Sequence, residues 1–484
     1  MNDPNGMVYY DGEYHLFYQH NPFADKWGHM SWGHAVSPDL VHWEHLPVAI
    51  PESNGVMAFS GGAVVDWNNT SGFGREGKPP LVAIYTGHRE ANQSQYIAYS
   101  NDRGRTWTMY HGNPVLDIGR KDFRDPKVFW HEPQRRWVMV VALPDQHKVS
   151  FYSSPDLKQW RHLSDFGPAA AVGGIWECPD LFELAVDGDP TNTRWVLIVS
   201  LNPGSISGGS GMQYVVGHFD GTRFTADSPA PGITTAGMPL DSVRWADYGK
   251  DFYAAVSWSD VPREDGRRLW LGWMNNWQYA QDIPTSPWRS VQSVPRTLAL
   301  RTTSQGIRMV QQPVMELQQL RGPRRRLAAQ PIAEGSTSLA RQGIAGTALE
   351  IVAEFEIGTA AELGLKVRTG EQEETVIGID PRARQLFVDR TRSGQVRFHP
   401  EFSGRHTAPL PVENGRVRLH VFVDWSSVEV FAANGEVVVT DQIFPAPESD
   451  GVALYARGGA ARLVSLDAWP LGSIWRMRGV VPSP

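Results

Sequence analysis

AVSPDLVHWEHL (Ala35–Leu46) and FYSSPDLKQWRHL (Phe151–Leu163) are two copies of one unit. AYSNDRGRTWTMY (Ala98–Tyr110) is a looser copy, and VVGHFDGTRF (Val215–Phe224) is looser still. Each reads as strand, tight turn, strand, with β-branched and aromatic residues on both sides of a Ser, Asn, Asp or Gly cluster. Taking Ser37, Ser100, Ser154 and His218 as markers, the intervals are 63, 54 and 64 residues. Repeats of this size in a chain of short β runs predict propeller blades of four strands, and about five blades fill roughly the first 300 residues.

The polar motifs fall at one phase of that repeat. Asp3, Ser60, Asp125, Glu177 and Asp241 are separated by 57, 65, 52 and 64 residues. Each begins or precedes a strand-like run: MVYY, GAVVD, KVFW, LFEL and, more weakly, the segment reaching DFYAAV. Equivalent positions in successive blades lie around one axis, so residues far apart in sequence are predicted to meet at one end of one funnel. At the start of the chain, MNDPNG (Met1–Gly6) presents a carboxylate between an amide and a proline. Pro4 biases Asp3 to extended geometry, and Asn5-Gly6 reads as a tight turn. A catalytic group at position three would sit on a fraying end, so the natural chain is expected to extend further upstream.

Past Ser293–Arg296 the texture changes. Residues 311–334 read as a linker with Arg, Pro and Gly, and only Val314–Arg321 looks helical. From about Gly335 the strands lengthen: Val417, Leu419, Val421 and Val423 alternate with polar neighbours, and Asn434-Gly435 joins two such runs as a hairpin. The expected fold is all-β, a five-bladed propeller over 1–310, a linker over 311–334 and a β-sandwich over 335–484.

Composition narrows the function classes. Among 484 residues, 41% are hydrophobic and 20% charged, which supports a sizeable core and argues against wholesale disorder. The net charge of −7 and the absence of a long basic run make nucleic acid a poor partner. No apolar run approaches the about 20 residues needed to cross a bilayer as a helix. Cys178 is the only cysteine, so no intrachain disulfide forms, a usage that suits both cytosolic and secreted bacterial proteins. The 15 histidines show no metal-ligand spacing, and no metal or cofactor is expected. The 19 tryptophans offer flat faces that suit sugar rings as well as β cores.

Three acids share the funnel phase: Asp3 in NDPNG, Asp125 in FRDPKV and Glu177 in WECPDLF. Two carboxyl groups flanking a bond are the minimum equipment for glycoside hydrolysis. One must be ionised, and the other must hold a proton to release the leaving oxygen. Glu177 is the better acid, because Trp176, Cys178 and Pro179 give it apolar neighbours. Asp3, cradled by local amides, is the better nucleophile. Asp125 stands beside Arg124, which is expected to keep it ionised and suited to hydrogen-bonding sugar hydroxyls.

These motifs together resemble glycoside hydrolase family 32, the invertases, inulinases and levanases. The resemblance continues through FYQHNP (Phe17–Pro22), WGHAVSPDLVHWEHLPVAI (Trp32–Ile50), FSGGAVVD (Phe59–Asp66), NNWQY (Asn275–Tyr279), SVPR (Ser293–Arg296) and FVDWSSVEVF (Phe422–Phe431). It thus spans nearly the whole chain in order. It implies a five-bladed propeller with a β-sandwich and a retaining mechanism on β-fructofuranosides. In that mechanism Asp3 matches the nucleophile, Glu177 the acid/base and Asp125 the stabiliser of the transition state. It also implies that Asn2, Gln19, Trp27, Phe59, Ser60, Arg124 and Trp277 hold the fructose. There are departures: Gly62 stands where the family often has a second serine, and Trp425 where it commonly has arginine.

The leading expectation is an exo-acting enzyme that releases fructose from inulin, levan or sucrose, secreted because polymeric fructan does not enter cells easily. Alternatives on the same scaffold are a fructosyltransferase and an endo- or biose-releasing levanase. SNDRGRTW (Ser100–Trp107) matches the Asp-box turn of sialidases, and a non-catalytic sugar-binding propeller is the reading outside enzymes.

Overall fold

The computed structural model describes residues 1–227, 239–412 and 414–475. Short Val-, Ile- and aromatic-rich runs pair with their sequence neighbours, as hairpin-connected antiparallel strands do. Blade one comprises Pro4–Tyr10, Glu13–His20, Ser31–Ser37 and Glu44–Ile50, in that order across the sheet. Blades two, three and four begin with Met57–Val65, Arg124–His131 and Ile175–Val186 and are built the same way. Blade five uses Tyr253–Ser257, Arg268–Met274, Arg296–Thr303 and Gly306–Pro313. The ring closes where the inner strands of blades one and five meet: Tyr9 N–H donates to the Ser259 carbonyl, and Ser259 N–H to that of Met7, both at 2.9 Å.

One device recurs in all five inner strands. The pairing register slips between Asn5 and Val8, Ala58 and Gly61, Arg124 and Lys127, Glu177 and Asp180, and Tyr253 and Val256. Such a bulge turns side chains out of the regular alternation, here towards the axis. In four of the five, the residue after the first bulge position is left-handed: Gly6 (φ 55°), Asp125 (φ 65°), Cys178 (φ 45°) and Ala254 (φ 53°). Asn5-Gly6 is therefore a bulge inside a strand and not the tight turn expected. Gly6 is required there, since a Cβ would lie 2.4 Å from the Trp32 ring.

The bulges also correct the repeat phase. Asp241 lies exposed on a single 3-10 turn, Leu240–Ser242, ahead of blade five. The blade-five counterpart of Glu177 is Tyr253, because the connection between them stretches the interval to 76 residues. The repeated SPDL and Asp-box segments are one outer turn, wired alike. Trp43, Trp107 and Trp160 each donate their indole N–H to the carbonyl three residues back, at 3.0, 3.0 and 2.9 Å. Asp39, Asp102 and Asp156 cap the same turns. SNDRGRTW is thus the same outer turn as the two SPDL copies.

The sandwich pairs a sheet containing Leu349–Glu356, Arg416–Asp424, Ser427–Ala432 and Val437–Gln442 with a second built around Glu362–Thr369, Glu374–Asp380 and Gln385–Arg392. Val417, Leu419, Val421 and Val423 face the core between them, as their alternation predicts. The stretch 311–334 differs from a plain linker. Its first residues finish the last propeller strand, Met315–Leu320 is a 3-10 helix, and Arg325–Leu327 and Gln330–Ile332 pair with Ala461–Pro470 of the sandwich.

The sandwich packs on the propeller through Phe422, Phe431 and Val438, which join a cluster with Met7, Leu16 and Trp258. At the same seam Arg296, fully buried, donates to Asp247 (3.0 Å), Glu429 (2.7 Å) and Thr440 (2.7 Å).

Candidate active site

Asp125 and Glu177 sit in the bulges of blades three and four and Asp3 just ahead of that of blade one, and the three carboxyl groups meet. Asp3 accepts from Asn2 Nδ2 on Oδ1 (3.2 Å) and from Ser60 Oγ on Oδ2 (3.1 Å). Its carbonyl accepts Gln19 N–H at 3.0 Å, which anchors the chain start to the second strand of blade one. Asp125 Oδ2 accepts the Cys178 N–H at 3.0 Å, so the left-handed residue of blade four presents its amide to the acid of blade three. The Cys178 thiol lies 3.6 Å from both Asp3 Oδ2 and Asp125 Oδ2 and links the two.

Arg124 is the fixed cation of the site. Its Nε and Nη2 both donate to Glu177 Oε1, at 3.1 and 3.0 Å, and Nη1 reaches Asp122 at 2.8 Å. Its distance to Asp125 is longer, 3.9 Å. Arg124 stands beside Asp125, as expected, but turns its fork to Glu177. Tyr253 donates its hydroxyl to the other oxygen of Glu177 at 2.5 Å. Glu177 is thus held at both oxygens, by the guanidinium on Oε1 and the phenol on Oε2.

Burial, then the neighbouring Glu177, pushes Asp3 up to about 6, against the lowering effect of its bonds from Asn2 and Ser60. Burial likewise pushes Asp125 up to about 7, opposed by Arg124 and reinforced by Glu177. Asp3 does receive the Asn2 amide, as expected, but burial outweighs it, and Asp125, expected to be kept ionised by Arg124, is pushed up by burial against that same guanidinium. Three carboxyl groups crowd together, and a single guanidinium does not offset them all. The Cys178 thiol is held well above its ordinary range by burial.

The remaining expected residues come from blades one, two and five. Gln19, buried, donates from Nε2 to the Ala58 carbonyl at 3.0 Å. Phe59 stacks on His88 with centroids 4.4 Å apart and meets the edge of Trp27 at 6.0 Å. Trp277 packs on Trp273 at 4.7 Å. Asn2, Trp27 and Trp277 line one cleft between blades one and five. Sequence reasoning missed Tyr253, whose interval from Glu177 breaks the repeat. It also missed Gln93, which joins His88 (3.2 Å) to Arg124 Nη1 (3.2 Å) from the second hairpin of blade two. Neither residue sits in a motif that could have flagged it. Among the described residues no group of three or more His, Cys, Asp or Glu is arranged to hold a metal ion.

Paired acids, hydrogen-bonding side chains and aromatic rings suit a sugar, and comparison with known proteins points the same way. The family described as "Glycosyl hydrolases family 32 N-terminal domain" matches residues 1–313, and "Glycosyl hydrolases family 32 C terminal" matches 316–470. The chain is 55% identical to a levanase of Bacillus subtilis (strain 168), covering 98% of this chain and 69% of that one. It is 43% identical to an extracellular exo-inulinase of Aspergillus ficuum, covering 98% and 93%. The crystal structure of exo-inulinase from Aspergillus awamori superposes with a TM-score of 0.91 at 41% identity, covering 98% of this chain and 96% of that one. A β-fructofuranosidase of Schwanniomyces occidentalis complexed with fructosyl-erythritol gives 0.86 at 31% identity, covering 97% and 95%.

Proposed function

The chain belongs to glycosyl hydrolase family 32, and from that premise we propose that it is an exo-acting, retaining β-fructofuranosidase that removes terminal fructose from fructans and sucrose. The observation that carries the reading is the cluster of Asp3, Asp125 and Glu177 at one end of the propeller axis, joined by Cys178 and Arg124.

Asp3 attacks the anomeric carbon while Glu177 gives its proton to the leaving oxygen. The glycosidic C–O bond breaks and a fructosyl ester forms on Asp3. Glu177, now a carboxylate, takes a proton from water, whose oxygen attacks the same carbon and frees Asp3. Asp125 holds fructose hydroxyls and stabilises the oxocarbenium-like charge. Asn2 and Ser60 keep Asp3 aimed, and Arg124 and Tyr253 keep Glu177 aimed. Gln19, Phe59, Trp27 and Trp277 complete the fructose pocket: polar groups meet the hydroxyls and rings cover the apolar side. The "extracellular" in the name of the Aspergillus relative supports the same working place for this protein.

Chromatography of products from sucrose, inulin and levan tests the reading. Free fructose from the first minutes is expected on all three. Oligosaccharides released from inulin or levan, or sugars longer than the substrate, would instead mean endo-cleavage or fructosyl transfer.

A further inference from the structure

The deepest charged cluster outside the active site lies where the sandwich meets blade five. Arg390 of the sandwich is fully buried. Its Nε donates to the Phe402 carbonyl at 2.7 Å, Nη2 to the Tyr279 hydroxyl at 2.8 Å, and Nη1 to Asp251 Oδ2 and to the Gln442 carbonyl. Tyr279 in turn donates to Asp251 Oδ1 at 2.7 Å, and Asp251 Oδ2 also accepts Gln442 N–H at 2.8 Å. Asp251 and Tyr279 belong to the propeller, and Arg390, Phe402 and Gln442 to the sandwich. A buried ion pair adds little net stability over an apolar substitute, but it leaves an uncompensated charge when either partner moves.

Both propeller partners are two residues from the site. Asp251 precedes Tyr253, whose hydroxyl holds Glu177 Oε2. Tyr279 follows Trp277, which lines the cleft between blades one and five. The intervening chain has little freedom. Asp251 N–H donates to the Thr440 carbonyl at 3.1 Å, and Lys250 N–H to Asp441 Oδ1 at 3.0 Å. Gly249 approaches so closely that a Cβ would lie 2.1 Å from the Thr440 oxygen. Asn276 Nδ2 ties the Trp277 turn back to the Lys250 carbonyl at 2.8 Å.

Resting on the active-site reading above, we propose that the sandwich is a working part of the catalytic wall, with Arg390 as a positioning residue for Tyr253 and Trp277 through Asp251 and Tyr279. The aim of the Glu177 proton is then set partly from the second domain.

The test uses the full chain with Tyr279→Phe, which deletes the hydroxyl shared by Arg390 and Asp251 and leaves the ring among Ile283, Phe402 and Phe444. Arg390→Lys is the second variant and Tyr253→Phe the reference. Expected for Tyr279→Phe is a folded protein whose kcat on sucrose falls about tenfold or more, in the same direction as Tyr253→Phe. Hydrogen exchange in Tyr279→Phe and Arg390→Lys should quicken over residues 251–257 and 275–279 and stay unchanged over 1–20. The proposal is overturned if Tyr279→Phe keeps kcat and KM within about twofold of wild type, or if exchange quickens only within the sandwich. If Tyr253→Phe falls while Tyr279→Phe does not, the active-site reading stands and the clamp alone fails. If Tyr253→Phe is silent as well, the reading of Glu177 fails with it. The exchange measurement decides the clamp independently of turnover.

Discussion

Replacing Ser60 by alanine deletes one hydroxyl, the donor at 3.1 Å to Asp3 Oδ2. A hydrogen bond to a charged group contributes about 1.5–3 kcal/mol, which is roughly 1–2 pKa units. The bond favours the charged form, so its loss raises the Asp3 pKa from about 6 to roughly 7–8. Attack needs the carboxylate, so the loss appears on the acid side. At pH 5 about one wild-type molecule in eleven carries ionised Asp3, against roughly one in a hundred to one in a thousand of the variant. The ratio of variant to wild-type kcat/KM should therefore drop a further 10- to 100-fold between about pH 9 and pH 5. Asp125 interacts with Asp3 and titrates in the same range, so the acid-side fall in each protein belongs to the pair, and the added fall in the variant is what reports the lost Ser60 bond. Initial rates of fructose release at low substrate across that range supply the assay. A ratio that stays flat with pH would refute the reasoning and reduce Ser60 to a simple sugar contact.

Asp3→Asn and Glu177→Gln should each lower turnover roughly a thousandfold, about 4 kcal/mol of barrier, measured on sucrose. Asp3→Asn should also be more heat-stable than wild type at neutral pH. The folded-state pKa of Asp3 is raised from 3.8 to about 6, so the folded state binds more protons and wild-type stability falls as pH rises through that window. Thermal unfolding at pH 7.5 and pH 4 should show the variant's advantage at the higher pH only. Tyr253→Phe should lower kcat/KM about 10- to 100-fold, because it strips from Glu177 the short hydrogen bond that aims it. Arg296→Met should destabilise the protein by roughly 3–5 kcal/mol, read as a lowered melting temperature, since Asp247 and Glu429 are left buried and unpaired.

Much of this architecture was legible because the blade repeat carries turn chemistry. Ser-x-Asp turns closed by a Trp indole recur at Ser37, Ser100 and Ser154, and each copy marks the outer edge of a blade. The acids Asp3, Asp125 and Glu177 were legible because each lies near the start of an inner strand, although the bulges put them at different positions: Asp3 two residues ahead of one, Asp125 second and Glu177 first in theirs. What the sequence hid depends on backbone geometry. A β-bulge has no residue signature when Gly, Asp, Cys and Ala all fill its left-handed position, so Asn5-Gly6 read as a turn and Asp241 displaced Tyr253. The protonation balance was hidden for a different reason. Arg124 is adjacent to Asp125 in sequence, but the bulge swings its guanidinium to Glu177, and burial of three acids together cannot be read from neighbours along the chain. The strands at Arg325–Leu327 and Gln330–Ile332 were missed because they are three residues each and pair with a partner more than a hundred positions away.

The sharpest measurement is the anomeric configuration of the fructosyl azide formed when azide rescues Glu177→Ala and Asp3→Ala on an activated β-fructofuranoside. If Asp3 carries a covalent fructosyl group and Glu177 serves the leaving oxygen and the water, Glu177→Ala yields the β-azide by two displacements and Asp3→Ala yields the α-azide by one. An α-azide from Glu177→Ala, or a β-azide from Asp3→Ala, would contradict the account.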